Sequence, residues 1–116
     1  MNTRIDYLYR DAANYKKGGH VVITGECSVA QIEALRKACM VEDDNAFFVP
    51  AAVDMPMLNT DEPWDDEIDH PYHALGEASM TSDQASDTRT IGDLIDSFSG
   101  IDWQDAAATW DEARAA

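Results

Sequence analysis

The sequence predicts a small α+β fold: a short antiparallel sheet of three or four strands in the order β-β-α-β, one helix packed across it, and an acidic C-terminal helical extension. Three observations predict it. Residues 4–10 alternate in polarity, residues 28–31 form a helix-capping box ahead of an apolar stripe, and residues 45–50 are a short apolar run closed by proline. At 116 residues the chain can build one core, and a 45% hydrophobic composition can bury enough area to offset chain entropy.

Taken in order, residues 4–10 place Ile5, Tyr7 and Tyr9 on one side and Arg4, Asp6, Leu8 and Arg10 on the other, the alternation of a strand with one buried face. Residues 11–19, holding Asn14, Lys16, Lys17, Gly18 and Gly19, read as a long basic connection, and the β-branched run from His20 to Gly25 as the second strand of a hairpin. Ser28 and Gln31 stand at the N-cap and N3 positions, with Cys27 and Ile32 placed as a hydrophobic staple. The helix then runs to about Met40, with Val29, Ile32, Leu35, Ala38 and Cys39 as its stripe. Residues 45–50 give the third strand, residues 51–60 a loop that covers an edge of the core, and residues 72–75 a last short strand ended by Gly76. Residues 77–89 are small and polar, a linker. Helices follow from Thr90 to Gly100, with Ile91, Leu94, Ile95 and Phe98 on one face, and from Asp102 onward, with Trp103, Ala106, Ala107 and Trp110 together. The organisation so read is a core domain over residues 1–76, the linker over 77–89, and acidic helices over 90–116 packed on or beside the core.

Charge is unevenly distributed. Residues 1–40 hold six Lys/Arg against four Asp/Glu, whereas residues 41–116 hold two against nineteen, within a net charge of −15. Six acids, Asp61, Glu62, Asp65, Asp66, Glu67 and Asp69, fall within nine residues. Asp93, Asp96, Asp102, Asp105, Asp111 and Glu112 continue the series, with Trp64, Tyr72, Trp103 and Trp110 interleaved. Duplex DNA carries about one negative charge per 1.7 Å of axis, and a channel lined with Lys and Arg to neutralise that density also attracts a dense row of carboxylates. The same field disfavours direct nucleic-acid binding, because the basic cluster Arg10, Lys16 and Lys17 sits in a molecule that repels phosphate. No apolar run approaches the roughly 18 residues of a membrane span and residues 1–6 hold no signal core, so a soluble cytoplasmic protein is expected.

Candidates for chemistry are few. His70 and His73 stand among carboxylates but match no stringent metal-ligand spacing and read as loop residues. Residues 65–69 lack the glycine and terminal glutamate of a calcium loop. Cys27 with His20 could pair as nucleophile and base, but the staple explains Cys27 better. Cys27 and Cys39 lie about twelve residues apart along the helix, roughly 18 Å, too far to bridge. Gly18 and Gly19 lack the Lys-Ser/Thr sequel of a phosphate cradle. No catalytic residue, metal or cofactor is expected.

Arg4 to Ala12 with Asn14, Tyr15 and Lys16, then Phe47, Phe48, Val49 and Pro50 with Val53 and Pro56, then Asp69, His70, Pro71, Tyr72 and His73, resemble a family of small bacterial proteins found in mobile elements and prophages. The resemblance covers roughly residues 4–75 in three blocks; it implies a small α+β domain and brings no catalytic residues. In charge and size the chain is also similar to the acidic DNA-mimic inhibitors of phages, anti-CRISPR proteins among them. That likeness implies a bacterial protein partner with a Lys/Arg-rich nucleic-acid-binding surface, such as a nuclease or CRISPR effector. The residues expected to meet it are Asp61, Glu62, Trp64, Asp65, Asp66, Glu67, Asp69, Tyr72, Asp93, Asp96, Asp102, Trp103 and Asp105. The alternative is an acidic adaptor domain that docks through apolar and aromatic contacts.

Overall fold

The computed structural model describes residues 1–60 and 62–115. Its elements are β1 (Asn2–Arg10), β2 (Lys16–Ile23), α1 (Val29–Lys37), β3 (Met40–Glu42), β4 (Asn45–Phe48), a 3-10 turn (Pro50–Val53), β5 (His73–Thr81), α2 (Ile91–Phe98) and α3 (Trp103–Ala115). The fold is α+β, a five-stranded antiparallel sheet in the order β2-β1-β5-β4-β3 with the helices gathered on one core.

The hairpin between β1 and β2 is tighter than its sequence suggests. Arg10 pairs with Lys16 and the pairing continues to Thr3 with Ile23, so Lys16 to Gly19 are strand and only residues 11–15 turn. Asn14 takes a left-handed conformation there (φ 69°), and the Asp11 carboxylate accepts a hydrogen bond from the Tyr15 amide. Gly19 is half-buried under Leu58, on the loop that folds over the sheet, and a Cβ there would stand 2.5 Å from Leu58 Cδ2. The Tyr7 hydroxyl donates to the Pro56 carbonyl from the same loop at 2.6 Å.

Helix α1 begins at the Ser28 capping box and ends at Lys37, two or three residues short of the expected Met40, with Ala38 as its C-cap. Leu35 and Cys39 are buried, while Val29, expected on the apolar stripe, is 81% exposed in the first turn. Ending the helix early frees Met40 to Glu42 for a hairpin with β4 through Asp43 (φ 54°), a fifth strand too short and too polar to stand out in the sequence.

The strand expected over residues 72–75 is nine residues long and sits at the centre of the sheet. Gly76 marks a bulge in it, not its end. Ile5 faces Ala78 and Tyr7 faces Leu75, leaving Asp6 opposite both Gly76 and Glu77, and a Cβ on Gly76 would stand 2.8 Å from the Asp6 carbonyl oxygen. Glu77 to Thr81, expected as linker, are therefore strand. Residues beyond them cover the β2 edge: the Ser86 and Asp87 amides both donate to the Val22 carbonyl, and the Asp87 carboxylate meets Arg89 at 2.7 Å. That pairing holds Asp87 below and Arg89 above their ordinary pKa ranges.

The two C-terminal helices close the core. Thr90 caps α2 through a reciprocal pair with Asp93, and Ile91, Leu94 and Phe98 turn inward. Phe48, Phe98 and Trp103 form an aromatic trio with ring centroids 5.3 to 6.3 Å apart. The Trp103 indole also donates to the Ala38 carbonyl at 2.8 Å, which satisfies the one polar group such a ring brings inside.

Candidate functional site

The acidic stretch is a built loop. The Asp65 carbonyl accepts from the Ile68 and Asp69 amides, the Asp65 carboxylate accepts from the Glu67 amide, and the Asp69 carboxylate returns to accept from the Asp65 amide at 2.9 Å. One helical turn results, its Asp65 and Glu67 amides satisfied by its own carboxylates. Two links fix the turn to the sheet. The Ile68 carbonyl accepts from the Ala12 amide at the hairpin tip, and the Tyr9 hydroxyl donates to Asp69. Burial together with that bond pushes the Tyr9 phenol up to about 12.

A third link joins the loop to α3. Trp64 and Trp110 pack at a tilt with centroids 4.9 Å apart, and the Arg114 guanidinium lies 4.3 Å from the centre of the Trp64 ring. Asp66 accepts from the Trp64 indole at 2.8 Å and from Arg114 at 3.2 Å, while Asp111 stands 3.6 Å from the same guanidinium. Trp64, Asp66, Asp69, Asp111, Glu112 and Arg114 consequently line one shallow surface hollow.

The expected partner-binding residues divide accordingly. Glu62, Asp65, Asp66 and Glu67 are exposed on the loop; Trp64, Asp69 and Tyr72 are half-buried beside them. Asp69 is a structural carboxylate, and so in part are Asp65 and Asp66. Asp111 and Glu112 join this group through α3. Asp102 precedes α3 as its N-cap and Asp105 sits in its first turn, where the Asp102 carboxylate accepts from the Asp105 amide. Asp93 is used as the cap partner of Thr90, and Asp96 points outward on the same helix. Neither α2 carboxylate makes a hydrogen bond or ion pair with the loop among the described residues. Asp61 lies outside the described residues. Trp103, expected at the surface, is 5% exposed: its indole found a buried carbonyl and its ring the Phe48–Phe98 pair, so it is core and offers no partner contact.

The histidines are committed to the fold. His73 is fully buried; its Nε2 accepts from the Leu58 amide at 3.0 Å, which leaves Nδ1 to carry the proton and donate to the Pro71 carbonyl. Burial lowers its pKa to about 4, so the ring is neutral at pH 7. His70 likewise accepts from the Tyr72 amide at Nδ1 and donates from Nε2 to the Arg10 carbonyl. With both nitrogens of both rings engaged, neither offers a lone pair to a metal, and among the described residues no group of three His, Cys, Asp or Glu is placed to hold one. Cys27 and Cys39 are free thiols. Cys39 is buried, its thiol 3.5 Å from the Leu35 carbonyl and pushed up to about 12 by desolvation, so it is an unreactive packing group. His20 and Cys27 line different hollows.

One feature escaped the sequence. On the face of the sheet opposite the helices, Leu8, Ala74, Phe47 and Met40 pair side by side across β1, β5, β4 and β3 and remain only half-covered. They floor a concavity of about 480 Å³ walled by His70 and Tyr72, with Arg10 and Glu42 at its rim. The position of Leu8 among the polar residues of β1 was the signal for it. Tyr72 has its phenol raised by burial and by Asp102 and Asp111, which places the α3 carboxylates within electrostatic reach of the groove wall.

No family model, curated protein or solved structure matches the chain.

Proposed function

We propose that this protein acts by binding rather than catalysis, as an acidic inhibitor that occludes the basic nucleic-acid-binding surface of a bacterial nuclease or CRISPR effector. One observation carries the reading: the backbone that bears the acids of residues 62–69 and of α3 is an ordered frame, while the Lys and Arg of their half of the chain are used up internally. Residues 41–116 contain only Arg89 and Arg114. Arg89 is tied to Asp87, and Arg114 to Asp66 and Asp111. Glu62, Glu67, Asp105 and Glu112 make no side-chain hydrogen bond or ion pair among the described residues, which leaves them available to a partner's Lys and Arg. Acids carried on an ordered backbone lose less conformational freedom when a partner binds than the same acids on a loose loop.

Capture from a bacterial lysate at low salt, followed by competition with duplex DNA for whatever is retained, tests the reading. DNA should displace the protein from its partner, and the retained protein should bind DNA when freed. A partner that holds both at once contradicts occlusion. The adaptor reading draws on a different feature, the groove at Leu8, Ala74 and Phe47; with Trp103 in the core its aromatic anchors reduce to Trp64 and Tyr72.

A further inference from the structure

The open face of the sheet carries a second binding element, and we infer that it is a docking groove for a basic amphipathic α-helix of the partner. The inference rests on the reading of the protein as a binder of basic surfaces and names the secondary structure that partner presents.

The geometry selects a helix. The row Leu8, Ala74, Phe47 and Met40 runs across four strands, spanning three strand spacings, about 14 Å or between two and three turns of an α-helix. Backbone donors and acceptors of β1, β5 and β4 are already bonded within the sheet, so an extended segment laid across them would find no backbone partners. A helix satisfies its own backbone and offers side chains at i, i+3, i+4 and i+7 to an apolar trough. The concavity of about 480 Å³ takes two or three such side chains.

Charge selects a basic helix. Glu42 lines the β3 end of the groove and Asp43 and Asp44 follow it in the turn; Asp11 lines the β1 end. A helix with Lys or Arg flanking its apolar stripe would meet a carboxylate at each end, Asp11 at one and Glu42 at the other. Arg10 is the cation that lines the groove, beside Asp11 at the β1 end.

The test uses the whole chain and three synthetic peptides of about 14 residues, long enough for helix formation on a template: a Lys/Leu peptide with Leu at helical spacing, a scrambled Lys/Leu peptide of the same composition, and a Glu/Leu counterpart of the first. Fluorescence anisotropy gives affinity, and backbone amide NMR shifts give location. The helical Lys/Leu peptide should bind roughly tenfold more tightly than the scrambled one, with shifts at Leu8, Phe47 and Ala74. Ala74→Arg, which fills the trough, should remove that advantage, and so should the milder Leu8→Ser, each checked by thermal unfolding. If both basic peptides bind alike with shifts confined to residues 62–69 and α3, the groove is overturned while the basic-surface reading stands. If the Glu/Leu peptide binds as well as either, both fall. A dimer of the free protein that Ala74→Arg dissociates would give the groove to a second copy of the chain and overturn the inference.

Discussion

The acidic loop at residues 62–70 and the C-terminal helices look alike in sequence, each mixing carboxylates with tryptophan, yet they are built in opposite senses. In α2 and α3 the apolar side chains go in, Leu94, Phe98 and Trp103 to the core, and the carboxylates cap helix ends or point outward. In the loop a carboxylate makes the inward link, Asp69 to Tyr9, Asp66 ties Arg114 at the surface, and Trp64 stays half-exposed. The cause is the backbone. A helix bonds its own amides and can sort side chains by face, whereas a loop without a ladder must use nearby carboxylates to satisfy its amides. Equal acidity therefore does not mean equal role.

The comparison is broken most sharply at the two tryptophans. Trp103→Ala should cost about 3–5 kcal/mol in urea unfolding, because it empties a buried site and orphans the Ala38 carbonyl. Trp64→Ala should cost only about 1 kcal/mol, the worth of a half-exposed ring and its Arg114 contact. Equal losses would mean that the loop is as much core as the helices.

Acid sharpens the contrast from the buried side. His73 stays neutral in the fold down to about pH 4, whereas the unfolded chain takes up that proton near the ordinary value of 6.5. Between those values the unfolded state binds more protons, so stability falls as pH falls, by about 2 kcal/mol from pH 7 to pH 5. His73→Gln should flatten this segment of the pH profile in urea titrations; an unchanged slope would place the titration elsewhere.

The last contrast separates carboxylates alone. Asp69→Ala should cost about 1–3 kcal/mol, since it leaves the Tyr9 hydroxyl and the Asp65 amide without their acceptor. Asp96→Ala, on an outward position of α2, should change stability by less than about 0.5 kcal/mol. Thermal melts of the two variants side by side decide it.

These differences mark what the sequence could show. Alternation in residues 4–10 and the Ser28 and Thr90 caps are local chemistry, and each fixed its element. Lys16 to Gly19 did not read as strand because what holds them there is distant, the full length of β1 and the side chain of Leu58 over Gly19. Gly76 read as a strand end because a bulge in a central strand depends on the partner strand, here Asp6. The clustered acids of the loop were visible, but not which of them the fold consumes. Arg114, which ties the loop to α3, stands 48 residues from Asp66 and no spacing rule links them.

Salt dependence of binding bears most directly on the central claim. Affinity for the captured partner should fall linearly on a logarithmic salt scale, because each carboxylate engaged displaces ions from the partner's Lys and Arg. Glu62→Gln, Glu67→Gln and Glu112→Gln together remove three carboxylates that hold nothing in the fold, so the triple variant should melt like the parent, bind roughly tenfold more weakly at low salt and show a shallower slope. An affinity indifferent to salt, or a slope that the three amides leave unchanged, would contradict it.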